Sequence, residues 1–318
     1  MVIDCHVHIA ACTPQHGRMS DRLFTSLPFR FMRFALGLDR RDEATERKLE
    51  QILAKAIRKT RRLDAAVILA FDAVHDEEGR RDDRNTHLYV TNDYVIDLVK
   101  RHPNMLFGAS VHPYRKDAVK ELERCIAAGA VLVKWLAITQ NFDPSDERCF
   151  PLYEVMAHHK VPLLSHTGGE QSLPQMNQAM ADPMLLVPAL KRGVTVIAAH
   201  CGTRSRLRER DFLPEFVKLA HEYEHCYGDT SALSLPTRSY AYRKILDDPV
   251  VRAKLVHGSD WPILPVPPLA GLGIHGCLGC LCDGNWIRRD VRIKEKLGFD
   301  DDYWHRTAKV LGPRLKVG

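Results

Sequence analysis

The sequence predicts an α/β protein folded as a (β/α)8 TIM barrel, on the basis of two observations. Over 318 residues, eight short apolar runs alternate with amphipathic helical patterns, at the spacing of roughly 30 residues or more that a strand–helix–strand unit needs. Five of these runs end in a histidine or an aspartate. In a parallel barrel the carboxyl ends of all strands meet at one face, where active sites form. No linker is visible, so we expect residues 1–318 to form a single domain.

The individual elements follow from local patterns, taken in chain order. Short apolar runs predict strands, near residues 2–8, 65–71, 106–112, 130–134, 161–166, 194–200, 225–231 and 254–260. Apolar residues at helical spacing predict helices, near residues 42–62, 90–101, 116–128, 150–159, 183–192, 213–224, 239–247, 286–297 and 301–311. Two stretches interrupt the alternation: a long excursion after the first strand, residues 11–40, and a Cys-rich insertion after the eighth strand, residues 262–284.

Composition and charge exclude several classes of protein. Hydrophobic residues make up 45% of the chain, and the net charge of +6 permits anionic ligands without indicating nucleic acid. No apolar run approaches the roughly 20 residues that span a bilayer, and no signal peptide precedes the first strand. The nine cysteines are scattered and odd in number, which does not indicate a disulfide framework. We therefore expect a protein of the reducing cytoplasm.

Histidine and aspartate residues at the predicted strand ends suggest a metal site. His6 and His8 lie one residue apart at the end of the first strand, so their side chains point to the same side. His166, His200 and Asp260 end the fifth, sixth and eighth strands. Imidazoles and carboxylates suit zinc, and they also bind manganese, iron or nickel. A bound metal lowers the pKa of water to near ~7, and Asp260 could then pass the proton to a leaving group.

Lys134 closes the fourth predicted strand and has three possible roles. A lysine at the end of a buried strand is costly unless it is paired or chemically changed. Its side chain could snorkel to solvent, or it could bind an anion. Alternatively, N-carboxylation would convert the amine into a carbamate that bridges two metal ions.

The set of strand-end residues resembles the amidohydrolase superfamily. The contexts "HTGGE", "AHCG" and "HGSDWP" are similar to its amidohydrolase-related branch, which includes aminocarboxymuconate semialdehyde decarboxylase-like proteins. The similarity covers roughly residues 1–262 and implies a barrel with one or two divalent metals, usually zinc. It implies that His6 and His8 bind the more buried metal and that His166 and His200 bind a second one.

The same resemblance implies roles for the remaining residues. In members with one metal, His166 stays a ligand and His200 acts as a base or orients the water. Asp260 is both a ligand and a general acid/base. Lys134 would bridge the ions only in a site with two metals.

Further candidate residues lie outside this set. A second, structural zinc could be held by the insertion, through His275, Cys277, Cys280 and Cys282. Reduced cysteines without a ligand, or a redox role, are the alternatives. A substrate carboxylate could be bound by arginines in the loops after the sixth and seventh strands, namely Arg204, Arg206 and Arg238. His112, placed at the end of the third strand, could contact substrate or serve only to end the strand.

Three functional hypotheses follow. The first is a metal-dependent hydrolase acting on a C–N, lactone or ester bond of a small molecule. The second is a decarboxylase or hydratase with one metal, acting on an unsaturated or aromatic carboxylic acid. The third is a non-catalytic metal-binding scaffold that uses the basic aromatic segment 27–34 and the cysteines of the insertion. This segment could otherwise cover the barrel mouth as a lid, and a homodimer could form through residues 11–60. No nucleic-acid or membrane partner is expected.

Overall fold

The fold is seen in a computed structural model that describes residues 1–315. Its strands are β1 (Ile3–His8), β2 (Gly17–Met19), β3 (Ala65–Leu69), β4 (Leu88–Val90), β5 (Met105–Ala109), β6 (Leu132–Trp135), β7 (Leu163–His166), β8 (Val196–Ala199), β9 (Cys226–Asp229) and β10 (Leu255–Val256). Eight of them form one sheet in the order β1-β3-β5-β6-β7-β8-β9-β10, and every pairing in it is parallel. β2 and β4 form a separate antiparallel pair.

Backbone hydrogen bonds connect the first and last strands of this sheet. The amide of Cys5 donates to the carbonyl of His257 at 2.9 Å, and the amide of Asp260 donates to the carbonyl of His6 at 2.8 Å. The predicted TIM barrel is therefore confirmed, and all eight predicted strands are present.

Helices occupy the connections between the strands. They are α1 (Asp21–Phe24), α2 (Leu27–Leu36), α3 (Glu43–Arg58), α4 (Asn92–Arg101), α5 (Ala118–Ala127), α6 (Ala137–Gln140), α7 (Phe150–His158), α8 (Val187–Lys191), α9 (Leu213–Glu222), α10 (Ala241–Asp247), α11 (Pro249–Arg252), α12 (Leu269–Leu281), α13 (Trp286–Lys296) and α14 (Asp301–Leu311). Short 3-10 turns lie at Glu147–Cys149, Gln178–Ala181, Pro183–Leu186, His200–Gly202 and Gly312–Arg314.

Two apolar clusters hold the barrel together. The inner cluster fills the space enclosed by the strands, with Ile3, Cys5, Val67, Leu132, Leu164, Ile197 and Val256 among its members. The outer cluster packs the helices against the strands and includes Leu53, Leu122 and Phe216. All nine cysteines are free thiols. Within residues 1–315, no helix has both the length and the apolar character needed to cross a membrane.

The excursion after β1 contains α1, α2, α3 and the strand β2. The ends of these helices follow familiar capping rules: Asp42 accepts a hydrogen bond from the amide of Thr45 at the start of α3, and Gly37 ends α2 with a φ of 66°. On α2, Leu27, Phe31 and Phe34 are exposed. Dimerisation through residues 11–60 remains a prediction.

The end of β10 is tied to α13 by a buried ion pair. The Nζ of Lys294 donates to Asp290 Oδ2 at 2.6 Å and to the carbonyl of Gly258 at 2.7 Å, and both side chains are buried. Next to it, Asp4 Oδ1 accepts hydrogen bonds from the amides of Ser259 and His6, at 2.9 and 3.1 Å. These contacts fix the backbone on either side of the strand ends that carry His6 and Asp260.

We expect Lys294→Met to lower the free energy of unfolding by about 3–5 kcal/mol, because it leaves the carboxylate of Asp290 buried without its partner. The matched control is Lys309→Met, since the side chain of Lys309 is 69% exposed and its contact with Asp302 is at 3.5 Å. Lys309→Met should lower the free energy of unfolding by less than about 1 kcal/mol. Chemical denaturation measures both changes, and equal losses would contradict the role given to the buried pair.

Candidate metal centre

Three side chains converge at the carboxyl ends of β1 and β10. The Nε2 atoms of His6 and His8 lie 3.1 Å apart, and Asp260 Oδ1 lies 3.5 Å from the first and 3.3 Å from the second. Ligands placed about 2.0–2.1 Å from a tetrahedral zinc ion are separated by about 3.3–3.4 Å. The spacing of the three atoms therefore matches that of three ligands around one tetrahedral metal ion. His6, His8 and Asp260 are close enough to share an ion.

Local backbone geometry turns these side chains toward the barrel mouth. The register between β1 and β3 shifts between Asp4 and Val7, as expected for a bulge next to a functional site. Asp260 and His200 both have positive φ angles, 62° and 58°. This region is unfavourable for residues other than glycine and is typical of functional sites. The backbone strain is located at the strand ends that carry the predicted site residues.

Asp229, at the end of β9, orients the first histidine. The Nδ1–H of His6 donates to Asp229 Oδ2 at 2.7 Å, so Nε2 keeps its lone pair for a metal. Asp229 Oδ1 accepts hydrogen bonds from the amides of His200 and Ser231, at 2.8 and 3.0 Å. The sequence analysis gave Asp229 no role. Its position at a strand end, like that of the other site residues, is the signal that could have found it.

His6, His200 and Asp229 are also close enough together to share an ion. However, the hydroxyl of Ser231 lies between them, 3.0 Å from His6 Nδ1 and 2.8 Å from His200 Nδ1. This group is therefore a hydrogen-bond network that holds the two imidazole rings.

His166 and His200 stand beside the converging ligands as neutral imidazoles. Burial lowers the pKa of both, and for His166 the neighbouring His200 and Lys134 lower it further. The ring of His200 stacks on that of His6 with centroids 5.2 Å apart, and it contacts the ring of His166 edge-on at 4.9 Å. His200 Nδ1–H donates to the carbonyl of Ser231 at 2.9 Å, which leaves Nε2 as an acceptor.

Lys134 is buried beneath this group of residues. Burial lowers the pKa of its amine to about 8, although Asp229, Asp260 and Glu170 act in the opposite direction. Within residues 1–315, Nζ has no hydrogen-bond partner. The side chain is 1% exposed, so the interpretation of a snorkelling lysine is wrong. A buried amine without a partner, whose pKa is lowered by burial, fits either carboxylation or the binding of an anion.

The pKa values of two carboxyl groups near the metal centre are shifted in opposite directions. Burial opposes ionisation of Asp260, but His6, His8 and Lys134 lower its pKa below the usual value. Burial raises the pKa of Glu170, although the amides of Ser172 and Leu173 donate to its Oε1 at 2.5 and 3.0 Å. Glu170 is the last residue of the "HTGGE" run, and the sequence analysis did not select it.

A cleft opens above the metal centre. Arg238 lines it and is buried, and its guanidinium donates to the carbonyls of Thr203 and Gly169 at 2.6 and 2.5 Å. Its Nε has no partner within residues 1–315. Arg204 instead packs over the ring of Tyr240 at 4.7 Å, and Arg206 is exposed. Neither of them lines this cleft.

His112 is buried and does not line the cleft above the metal centre. β5 ends at Ala109, three residues earlier than expected, and His112 is fully buried in the following turn. Its Nδ1 accepts from the amide of Tyr114 at 3.1 Å, and its Nε2–H donates to the carbonyl of Gln140 at 3.0 Å. Burial lowers the pKa of this imidazole to about 3. Both nitrogens are used by the backbone, so the role of His112 is structural.

The Cys-rich insertion is helical, and this argues against the predicted structural zinc. His275, Cys277 and Cys280 lie on α12, and Cys282 caps its end. Over seven residues a helix rises about 10 Å, so His275 and Cys282 are too far apart for one tetrahedral ion. The Sγ of Cys277 lies 3.7 Å from the carbonyl of Pro268. None of the four belongs to a metal-compatible group within the described part of the chain.

Solved structures share the fold at low sequence identity. An uncharacterized TIM-barrel protein from Bordetella bronchiseptica superposes with a TM-score of 0.67 at 16% identity, over 98% of each chain. A putative 2-pyrone-4,6-dicarboxylic acid hydrolase from Pseudomonas putida gives 0.57 at 14%, over 99% of this chain and 98% of that one. The 5-carboxyvanillate decarboxylase of Sphingomonas paucimobilis gives 0.57 at 12%, over 98% and 99%. No curated protein matches the sequence significantly.

The family is established by the sequence itself. The amidohydrolase family model matches residues 3–274, which run from the first barrel strand into the helix after the last one. The match includes every strand of the barrel and the strand-end residues His6, His8 and Asp260. The chain belongs to the amidohydrolase family.

Proposed function

We propose that the protein is a metal-dependent hydrolase that cleaves a C–N, lactone or ester bond of a small molecule. The observation that carries this proposal is the convergence of His6 Nε2, His8 Nε2 and Asp260 Oδ1 within 3.5 Å of one another, at the base of a cleft. A divalent metal held there, with zinc the first candidate, supplies Lewis acidity and lowers the pKa of water. The nine free thiols support a reducing, cytoplasmic setting.

The chain's own residues can move the protons that hydrolysis requires. Asp260 contacts both imidazoles through Oδ1, which leaves Oδ2 able to accept a proton and to return it to a leaving group. His200 Nε2 is a second acceptor, because Nδ1–H is engaged by Ser231. Asp229 holds His6 in the tautomer that presents Nε2.

A second ion is part of this proposal and depends on Lys134. Carboxylation requires the neutral amine, and burial favours that form. The Nζ of Lys134 has no hydrogen-bond partner among the described residues. A carbamate at this position would offer two oxygens that could bind the two metal ions. His166 and His200, both neutral and buried, would complete the second site.

Decarboxylation of an unsaturated or aromatic carboxylic acid is the second candidate. Arg238 favours it, because a buried guanidinium in the cleft with an unused Nε–H suits a substrate carboxylate. This reaction needs only the ion held by His6, His8 and Asp260. The hypothesis of a non-catalytic scaffold has no support, because potential metal ligands that converge at the base of a cleft are typical of a catalytic site.

We expect Asp229→Asn to lower the affinity for zinc about 10- to 100-fold, because an amide no longer fixes the tautomer of His6. Competition with a chelator of known affinity measures the change. Asp247→Asn is the control, since Asp247 is exposed on α10. The thermal midpoint separates loss of affinity from loss of fold. Unchanged affinity in a folded Asp229→Asn variant would remove the orienting role.

Metal stoichiometry tests the role of Lys134. After reconstitution in bicarbonate we expect about two ions per wild-type chain and about one in Lys134→Met, because methionine cannot form the carbamate. Elemental analysis gives the stoichiometry, and intact mass under non-denaturing conditions detects the added carboxyl group. Equal metal content in both proteins would exclude the bridge and would favour decarboxylation with one metal.

An activity panel separates the two reactions. We expect metal-loaded enzyme to hydrolyse members of a set of lactones, esters and amides, and Asp260→Asn to be slower by about 10²–10⁴-fold, since it loses a proton acceptor. Asp247→Asn should keep full activity. Release of carbon dioxide from aromatic carboxylic acids, without hydrolysis in the panel, would replace the first proposal by the second.

A further inference from the structure

Most of the wall of the cleft is apolar. The apolar residues that line it include Phe29, Met32, Leu49, Phe71, Leu88 and Ile263. They come from parts of the chain far apart in sequence, so the apolar surface is built by the fold.

Polar and apolar residues come from opposite sides of the barrel mouth. His166, Glu170, Ser205 and Arg238 follow the neighbouring strands β7, β8 and β9. The apolar residues named above follow β1, β3 and β10, and β10 and β1 are joined by hydrogen bonds. The cleft therefore has one mainly polar wall and one mainly apolar wall. Leu173, Ala232 and Leu235 also lie on the polar side, and the metal-centre residues His8 and Asp260 lie on the apolar side.

Helix α2 forms the roof over the apolar wall. Phe29 and Met32 lie three residues apart on one face of the helix and line the cleft. Leu49 of α3 also lines the cleft and is buried. On the opposite face of α2, the side chain of Phe34 is 87% exposed. Helix α2, which belongs to the excursion after β1, thus faces the cleft with the apolar side chains of Phe29 and Met32.

The charges in the cleft limit what it can hold. Arg238 is the lone arginine or lysine among the described residues that line it, and two carboxylates, Glu170 and Asp260, line it as well. An occupant with several negative charges would leave some of them buried without a partner. A molecule with one polar end fits better, since that end can reach the metal centre and Arg238.

We propose that the substrate is amphipathic, with a reactive polar end at the metal centre and an apolar alkyl or aryl body packed under α2. This inference rests on the proposed metal centre. It assigns Phe29, Met32 and Leu49 as specificity-determining residues that contact the body and take no part in the chemistry.

A homologous series of alkyl hydroxamates, from acetohydroxamate to octanohydroxamate, tests the proposal. The hydroxamate group chelates a metal, and the alkyl chain occupies the cleft. Calorimetric titration of the zinc-loaded protein should show affinity rising about fourfold per methylene, as for burial of a CH₂ group. Met32→Gln should reduce the gain in affinity per methylene, because a polar side chain replaces an apolar one in the lining of the cleft. Phe34→Gln, on the exposed face of the same helix, should leave it unchanged.

The outcomes separate this inference from the proposed function. Acetohydroxamate has almost no chain, so failure of the zinc-loaded protein to bind it would contradict the metal centre itself. If acetohydroxamate binds only with zinc but affinity does not rise with chain length, the metal centre stands and the amphipathic substrate is excluded. An equal gain in affinity per methylene in wild type and Met32→Gln would overturn the assignment of Met32 as a residue that contacts the apolar body of the substrate.

Discussion

The buried carboxylate of Asp229 is the interaction on which the candidate site depends. It joins β9 to β1 by binding His6 Nδ1, and it joins β9 to β8 by accepting the amide of His200. One side chain thereby fixes both the tautomer of a ligand and the backbone of a possible base. A buried carboxylate is tolerated because several donors satisfy it, in agreement with the general cost of burying charge.

A second layer of polar contacts supports the site from below. Asp4 accepts the amides of His6 and Ser259, and Lys294 binds the carbonyl of Gly258. These contacts hold the unfavourable backbone conformation of Asp260 in place. The positions of the ligands are thus set by buried electrostatics, while the apolar clusters set the barrel that carries them.

The fold could be predicted from the sequence because its signals are local. The apolar runs and helical spacings give the strands and helices, and alternation within β1 gives the common direction of His6 and His8. Asp229 was missed because the residues leading to it, Tyr227 and Gly228, do not form a strongly apolar run, and its partner lies 223 residues away. The role of His112 stayed open between contact with substrate and ending the strand, because a strand that ends at Ala109 cannot be distinguished by pattern from one that ends three residues later. The apolar roof depends on where α2 lies in space, which local patterns do not encode.

The division of the cleft into two walls bears on how such a protein can evolve. The roof comes from one continuous excursion, whereas the ligands come from separate strand ends: β1, β7, β8 and β10. Insertion, replacement or drift within residues 21–58 can therefore change which molecules are admitted while the candidate metal centre is inherited intact. Substrate range and reaction chemistry are in this sense separately heritable, and a relative with an identical metal centre need not share the substrate.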